Sequence, residues 1–160
     1  MDVLAIRSIV GGMNLTFRRA SPDDAPALTA LMHSSAAYQG DYARILDGYA
    51  VTPTQIATDI VMLVEAEGVT VGFYSLVTGV DSELDLMFVA DTAQGIGLGR
   101  RLFDHMRQVA AERGIAAIKI VSHPPSVGFY LRMGAKAVGM KPAEGDKITW
   151  DRPVLRLPIS

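Results

Sequence analysis

A glycine-rich stretch near the middle of the chain has the residue types and spacing of an anion-binding turn. It runs from Gln94 to Arg101 (QGIGLGRR), between an alternating apolar segment and a segment with helical periodicity. Glycines let the backbone approach a ligand closely, and the N–H groups of a first helical turn point at the bound anion. Arg100 and Arg101 stand where a helix stabilised only for its own sake would carry Asp or Glu. The pattern favours a phosphate ligand over a tight turn with two solvated arginines.

Spacing excludes two common phosphate-binding motifs. A dinucleotide fingerprint requires G-x-G-x-x-G, but Arg100 holds its third glycine position when the count starts at Gly95. That fingerprint also needs an acidic residue about 20 positions further on, where this chain has Lys, Ile, Val and Ser at 119–122. A P-loop requires Gly-Lys followed by Ser or Thr, and the sequence has no such triplet.

What remains is Q-x-x-G-x-G, and here the chain resembles the GCN5-related N-acetyltransferase (GNAT) family. The pyrophosphate-binding motif of that family is Q or R, then x-x-G-x-G or x-x-G-x-A. Residues 83–89 (ELDLMFV) look like the family's fourth strand, and residues 129–135 (FYLRMGA) look like its late helix and turn. The resemblance covers residues 15–160 and is strongest over 83–135.

The resemblance implies a fold and a co-substrate. The fold is an α+β, three-layer α/β/α domain with a mixed, mostly antiparallel sheet, a splayed central strand pair and helices on both faces. Acetyl-CoA would insert between the splayed strands, and no metal is expected. Residues implied to bind it are Phe88, Val89, Gln94, Gly95, Gly97, Gly99, Arg100, His123, Ser126 and Phe129. The family usually has Asn where this chain has His123, which is either a cofactor contact or a loop histidine.

Two acidic residues before the glycine turn are candidates for a general base. A Lys-like amine has a pKa of about 10.4 and must lose a proton before it attacks a thioester. Side-chain alternation predicts that Glu83 and Asp85 share one strand face with Met87 and Val89. Glu83 aligns with the general base of the family's histone-acetylating branch. Asp85 is the alternative base or a contact for the substrate amine, and both also fit a polar strand face that meets solvent.

Tyr130 is the candidate general acid. A phenol is protonated at neutral pH and can give its proton to a departing thiolate. Phe129 and Tyr130 match the Phe-Tyr pair whose tyrosine has this role in the resembling family. The alternative is a half-buried tyrosine that only packs. His33 and His105 lie within helical patterns and are interpreted as structural or surface residues.

The elements that must position these residues alternate between strand and helix patterns. Strands are predicted at 15–19, 60–65, 69–78, 83–89, 116–121, 136–140 and 154–159. Helices are predicted after Ser21, after Thr52, from Gly97 to Gly114 and over 125–133. Residues 1–13 are predicted to be a flexible N-terminal extension, and residues 14–160 a single domain. The terminal strand either pairs between subunits of a homodimer or completes the sheet.

Composition restricts the classes of function. The chain has 160 residues, 49% of them hydrophobic and 20% charged, with a net charge of −2. Its basic residues are dispersed and form no basic patch of the kind that binds nucleic acid. No apolar run is long enough to span a membrane. The absence of cysteine excludes disulfides and a cysteine nucleophile. A cytoplasmic location is expected, because the first residues do not resemble a signal peptide.

The predicted function is direct transfer of an acetyl group from acetyl-CoA to a primary amine of an unidentified small molecule or protein. Tyr38, Gln39 and Tyr42 are the residues predicted to contact this acceptor. One alternative is a non-catalytic acyl-CoA sensor or structural subunit of the same fold. A nucleotide-binding regulatory domain is a second alternative.

Overall fold

Most of the chain forms one mixed sheet with helices on both faces. The computed structural model describes residues 6–10, 13–35, 46, 48–93, 95–145 and 148–159. The strands are β1 (Ile6–Val10), β2 (Met13–Arg19), β3 (Ile60–Ala66), β4 (Val69–Val77), β5 (Glu83–Val89), β6 (Ala117–Val121), β7 (Lys136–Lys141) and β8 (Arg152–Pro158). They pair in the order β1-β2-β3-β4-β5-β6-β8-β7. Every pairing is antiparallel except that of β5 with β6.

Among the described residues, four α-helices cover the two faces of this sheet. They are α1 (Ala25–His33), α2 (Pro53–Thr58), α3 (Leu98–Glu112) and α4 (Val127–Arg132), and a 3-10 turn at Pro124–Ser126 leads into α4. The apolar face of α3 packs in one hydrophobic cluster, whereas the apolar residues of α1 and α2 pack in a second one. Successive β3 residues alternate between the clusters: Met62 joins the first, and Leu63 joins the second. The predicted three-layer α+β fold is therefore confirmed.

Local signals explain where several elements begin and end. The hairpin between β3 and β4 turns at Glu67 and Gly68, whose φ angles are 49° and 82°, as a tight two-residue connection requires. Gly97, with φ of 77°, precedes α3, and Gly114, with φ of 73°, follows it. Thr52 caps α2, because its side chain accepts a hydrogen bond from the backbone N–H of Gln55.

The N-terminal prediction is wrong over Ile6–Val10, which forms β1 instead of a flexible extension. This strand pairs antiparallel with β2, from Ile6 opposite Phe17 to Val10 opposite Met13. Its β-branched residues favour a strand, and two glycines between apolar runs are a hairpin signal that the prediction overlooked. Residues 1–5 lie outside the described part of the chain.

The terminal strand completes the sheet of its own chain. β8 pairs with β6 on one side and with β7 on the other, so both of its edges have partners within the chain. Of the two predicted uses of this strand, the structure favours the intrachain one. Among the described residues, no helix has the length and apolar character needed to cross a membrane.

Candidate active site

A cavity lies where β5 and β6 separate. The two strands pair only at Glu83 and Lys119, next to a hydrogen bond of 2.9 Å from the N–H of Lys119 to the carbonyl of Ser82. Among the described residues, no other residue pair joins β5 to β6. A cavity of about 260 Å³ follows, lined by residues of β5, by the end of β6 and by the turn into α4. The predicted splayed central strand pair is therefore present.

Eight of the twelve predicted site residues that the structure describes meet at this cavity. Its lining includes Asp85, Phe88, Val89, Gly99, His123, Ser126, Phe129 and Tyr130. Glu83, Gly95, Gly97 and Arg100 are not part of that lining. Four predicted residues, Tyr38, Gln39, Tyr42 and Gln94, lie outside the described residues. Residues far apart in sequence are thus brought together from β5, α3 and α4.

The glycine turn has the open backbone expected of an anion cradle. Gly95 and Gly97 have φ angles of 83° and 77°, in the left-handed region that favours glycine. A Cβ on either residue would meet no atom of the described residues within 4 Å, so this part of the structure leaves the turn open to a ligand. Gly99 differs, because its φ is not positive and a Cβ there would lie 3.6 Å from the ring of Phe129. Open glycines before a helix of 15 residues that has no acid in its first turn fit a pyrophosphate group.

A β-bulge moves Asp85 to the sheet face that α1 and α2 cover. Ser75 lies opposite Leu86, but the next residue of β4, Leu76, lies opposite Leu84, so Asp85 is an extra residue. The alternation of side chains breaks there. Met87 and Val89 pack on the α3 side, whereas Asp85 contacts a side chain of α2. The predicted common face of Asp85 with Met87 and Val89 is therefore wrong, because an inserted residue reverses the direction of the side chains that follow.

Two donors that the sequence analysis missed contact Asp85. Nε2 of Gln55 lies 3.2 Å from Oδ2 of Asp85, and the hydroxyl of Tyr49 lies 3.5 Å from the same oxygen. Burial, followed by the charges of Glu83 and Asp59, raises the pKa of Asp85 above its ordinary value. A carboxylate with a raised pKa is a better proton acceptor near neutral pH. The cap at Thr52 predicts the start of α2, but no sequence signal connects Gln55 or Tyr49 with Asp85.

Glu83 has different surroundings. Its carboxylate lies 3.9 Å from Nζ of Lys119, and both side chains are substantially exposed. The pair stands where β5 and β6 are still joined, before the cavity begins. Glu83 therefore acts on the cavity through its charge, which raises the pKa of Asp85.

Aromatic packing holds Tyr130 at the cavity wall. Its ring centroid lies 6.0 Å from that of Phe103 on α3 and 5.4 Å from that of Phe129. These contacts fix a half-buried ring that lines the cavity opened by β5 and β6. His123, only 5% exposed, lines the same cavity just before the turn into α4.

The other two histidines lie away from the cavity, one buried in the core and one exposed at the end of α1. His105 is buried in the core, where its Nδ1 lies 2.9 Å from the hydroxyl of Tyr74. His33, at the end of α1, donates from Nε2 to the backbone carbonyl of Tyr49 over 2.7 Å. Neither residue lines the cavity. Among the described residues, no cluster of His, Asp and Glu is arranged to hold a metal ion.

Solved structures share this architecture at low sequence identity. A GCN5-related N-acetyltransferase from Rhodopseudomonas palustris superposes with a TM-score of 0.72 at 18% identity, covering 98% of this chain and 99% of that one. The PaiA N-acetyltransferase of Thermoplasma acidophilum, in complex with coenzyme A, gives 0.71 at 18% identity, over 90% and 98% of the two chains. The ribosomal-protein-S18-alanine N-acetyltransferase of Escherichia coli gives 0.71 at 18% identity, over 91% and 94%.

Family assignment comes from the sequence itself. No curated protein matches the chain significantly. The family model of the acetyltransferase (GNAT) domain, however, matches residues 49–151, which include the bulge, the glycine turn and the tyrosine at the cavity wall. Because that match spans more than half of the sequence, the chain belongs to the GNAT acetyltransferase family.

Proposed function

We propose that the protein transfers an acetyl group from acetyl-CoA directly to a primary amine, with Asp85 as general base and Tyr130 as general acid. The observation that carries this proposal is that both residues line one cavity, which Gly99 of the glycine turn also lines. A proton acceptor, a proton donor and a phosphate cradle are the three parts that this reaction needs.

The residues that would hold acetyl-CoA follow the cavity. Gly95, Gly97, Gly99 and Arg100 would bind the pyrophosphate at the N-terminus of α3, whose dipole and N–H groups favour an anion. The backbone of Phe88 and Val89, together with His123, Ser126 and Phe129, would line the path of the pantetheine. Once bound, acetyl-CoA supplies a thioester carbonyl that an amine can attack.

Two side chains carry the protons. The acceptor amine arrives as an ammonium, since its pKa is about 10, and Asp85 takes the proton that the amine must lose. The amine nitrogen then forms its bond to the acetyl carbon, and the bond from that carbon to sulfur breaks. Tyr130 protonates the departing thiolate, and the second proton that the nitrogen loses as the amide forms restores the phenol. Asp85 is preferred over Glu83 as base because Asp85 lines the cavity, whereas Glu83 pairs with Lys119 outside it.

The charge around the base favours a cationic acceptor. Glu83 and Asp59 both act on Asp85, which concentrates negative charge at this end of the cavity. The E. coli neighbour is named for a protein amine, the alanine of a ribosomal protein. A small-molecule or protein amine is therefore the class of acceptor that we propose, with Tyr38, Gln39 and Tyr42 as predicted contacts.

The test begins with ligand binding. Melting temperatures are measured with acetyl-CoA, CoA, ATP and NAD in parallel, because a ligand at 100 times its Kd adds about 2.7 kcal/mol to the folded state. We expect the melting temperature to rise with acetyl-CoA and with CoA only. In a second assay, we expect thiol release from acetyl-CoA in the presence of a panel of primary amines. A shift with ATP or NAD alone would overturn the proposal. Tight CoA binding without transfer to any amine would favour the acyl-CoA sensor.

A further inference from the structure

Gln55 connects a buried hydroxyl to the carboxylate of Asp85. Its Nε2 lies 3.3 Å from Oγ of Ser75 and 3.2 Å from Oδ2 of Asp85. An amide nitrogen carries two hydrogens, so Gln55 can donate one to each oxygen. Ser75 is fully buried on β4, next to the bulge that displaces Asp85. The displaced carboxylate thus meets a side chain that is itself anchored in the interior of the sheet.

The backbone that carries Gln55 is held as well. Its N–H donates to the side chain of Thr52 over 3.1 Å at the start of α2. The next residue, Ile56, is buried in the core that α1 and α2 share. A capped first turn and a buried neighbour leave Gln55 few alternative positions.

Tyr49 contacts the same carboxylate, and hydrogen bonds join the segment around Tyr49 to α1. His33 donates to the carbonyl of Tyr49, while the hydroxyl of Thr29 accepts from the N–H of Val51 over 2.9 Å and lies 3.3 Å from its carbonyl oxygen. Burial, and then the charge of Asp85, raises the pKa of the Tyr49 phenol, so the phenol stays protonated and donates.

Both donors converge on one oxygen of Asp85. Gln55 and Tyr49 each contact Oδ2, and no described residue makes a hydrogen bond to Oδ1. The charged groups that face this carboxylate are Glu83 from β5 and Asp59 at the end of α2, both acidic. Hydrogen bonds to Oδ2 thus stabilise a charge that its neighbours disfavour, and they hold the carboxylate in one orientation.

We propose that Gln55, anchored on Ser75 and assisted by Tyr49, is a positioning residue that holds Oδ2 of Asp85 so that Oδ1 faces the acceptor amine. The inference rests on the proposed function, in which Asp85 is the base. In the proposed mechanism, Gln55, Ser75 and Tyr49 do not contact acetyl-CoA. Their shared task is to keep the base ionised and correctly oriented.

An NMR titration of the Asp85 carboxyl in the ligand-free protein tests the electrostatic part. Gln55→Met and Tyr49→Phe each remove a donor to the carboxylate, so the pKa of Asp85 should rise above that of the parent. Gln108→Met is the matched control, because the Gln108 amide also contacts a carboxylate, that of Glu112, on the exposed side of α3. The control should leave the Asp85 titration unchanged. An unchanged titration in both test variants would overturn the inference.

Kinetics test the positioning part. Gln55→Met should lower kcat roughly tenfold, the factor that one charge-assisted hydrogen bond represents. The acid limb of its pH–rate profile should move to higher pH, while the KM for acetyl-CoA stays at the parent value. A merely structural role would lower activity without moving that limb, and this result would contradict the proposal. If the parent transfers acetyl to no amine while the NMR shifts occur, the proposed function fails and the link between Gln55 and Asp85 stands.

Discussion

The hydroxyl of Tyr74 and Nδ1 of His105 form a hydrogen bond of 2.9 Å in the middle of the core. The ring of Phe17 stacks on the imidazole with a centroid distance of 5.3 Å. Burial raises the pKa of Tyr74 and lowers that of His105, so a protonated phenol lies beside a neutral ring. The pair is a stable part of the core only while His105 is uncharged.

This pair predicts a loss of stability in mild acid. Unfolded His105 has an ordinary pKa of about 6.5 and binds a proton more readily than the folded residue does. Neutral His105 therefore makes its full contribution to the free energy of unfolding above about pH 6.5. This contribution is lost as the pH falls toward the lower pKa of His105 in the folded protein. Urea unfolding should show a larger fall in unfolding free energy between pH 7.5 and 5 for the parent than for His105→Gln. Equal falls in both proteins would contradict the prediction.

The choice between two acidic residues is testable by a pair of variants. Asp85→Asn should lower kcat by about 100-fold or more, because general-base catalysis contributes at least that factor. Glu83→Gln should keep most of the activity and move the acid limb of the pH–rate profile to lower pH, since it removes a negative charge that raises the pKa of Asp85. The measurement is kcat against pH with saturating acetyl-CoA. A greater loss in Glu83→Gln than in Asp85→Asn would make Glu83 the base.

Tyr130 should affect turnover and not cofactor binding. Tyr130→Phe keeps the ring that packs on Phe103 and Phe129 and removes only the proton donor. We expect kcat to fall about 100-fold, with an unchanged Kd for acetyl-CoA by calorimetry. Parent turnover in this variant at saturating acceptor would show that another group protonates the thiolate.

The glycine turn predicts different effects at the two ends of α3. Gly97→Ala places a side chain at a positive φ, which costs about 1–2 kcal/mol of stability and distorts the cradle. Gly114→Ala is the matched control, because Gly114 also has a positive φ but follows the opposite end of α3. Chemical unfolding should show a loss of stability in both variants, whereas calorimetry with acetyl-CoA should show a loss of affinity for Gly97→Ala only. Equal affinity in the two variants would place the pyrophosphate elsewhere.

The sequence by itself determined the features that depend on neighbouring residues. The glycines before α3, the end of that helix at Gly114 and the start of α2 after Thr52 are local conformational preferences, and the structure has each of them where the pattern predicts it. The motif order around the glycine turn was sufficient to predict the family and the three-layer fold. These patterns predict structure because each depends on interactions among a few consecutive residues.

Only the tertiary structure decided which side chains meet. The bulge at Asp85 arises from how β5 registers against β4, and strand alternation alone predicted the opposite face. Gln55 and Tyr49 reach Asp85 from 30 and 36 positions away, through the packing of α1 and α2 on the sheet. Likewise, β8 has neighbours on both sides because the chain returns between β6 and β7. Contacts of this kind depend on strand register and layer packing, which no short stretch of residues encodes alone.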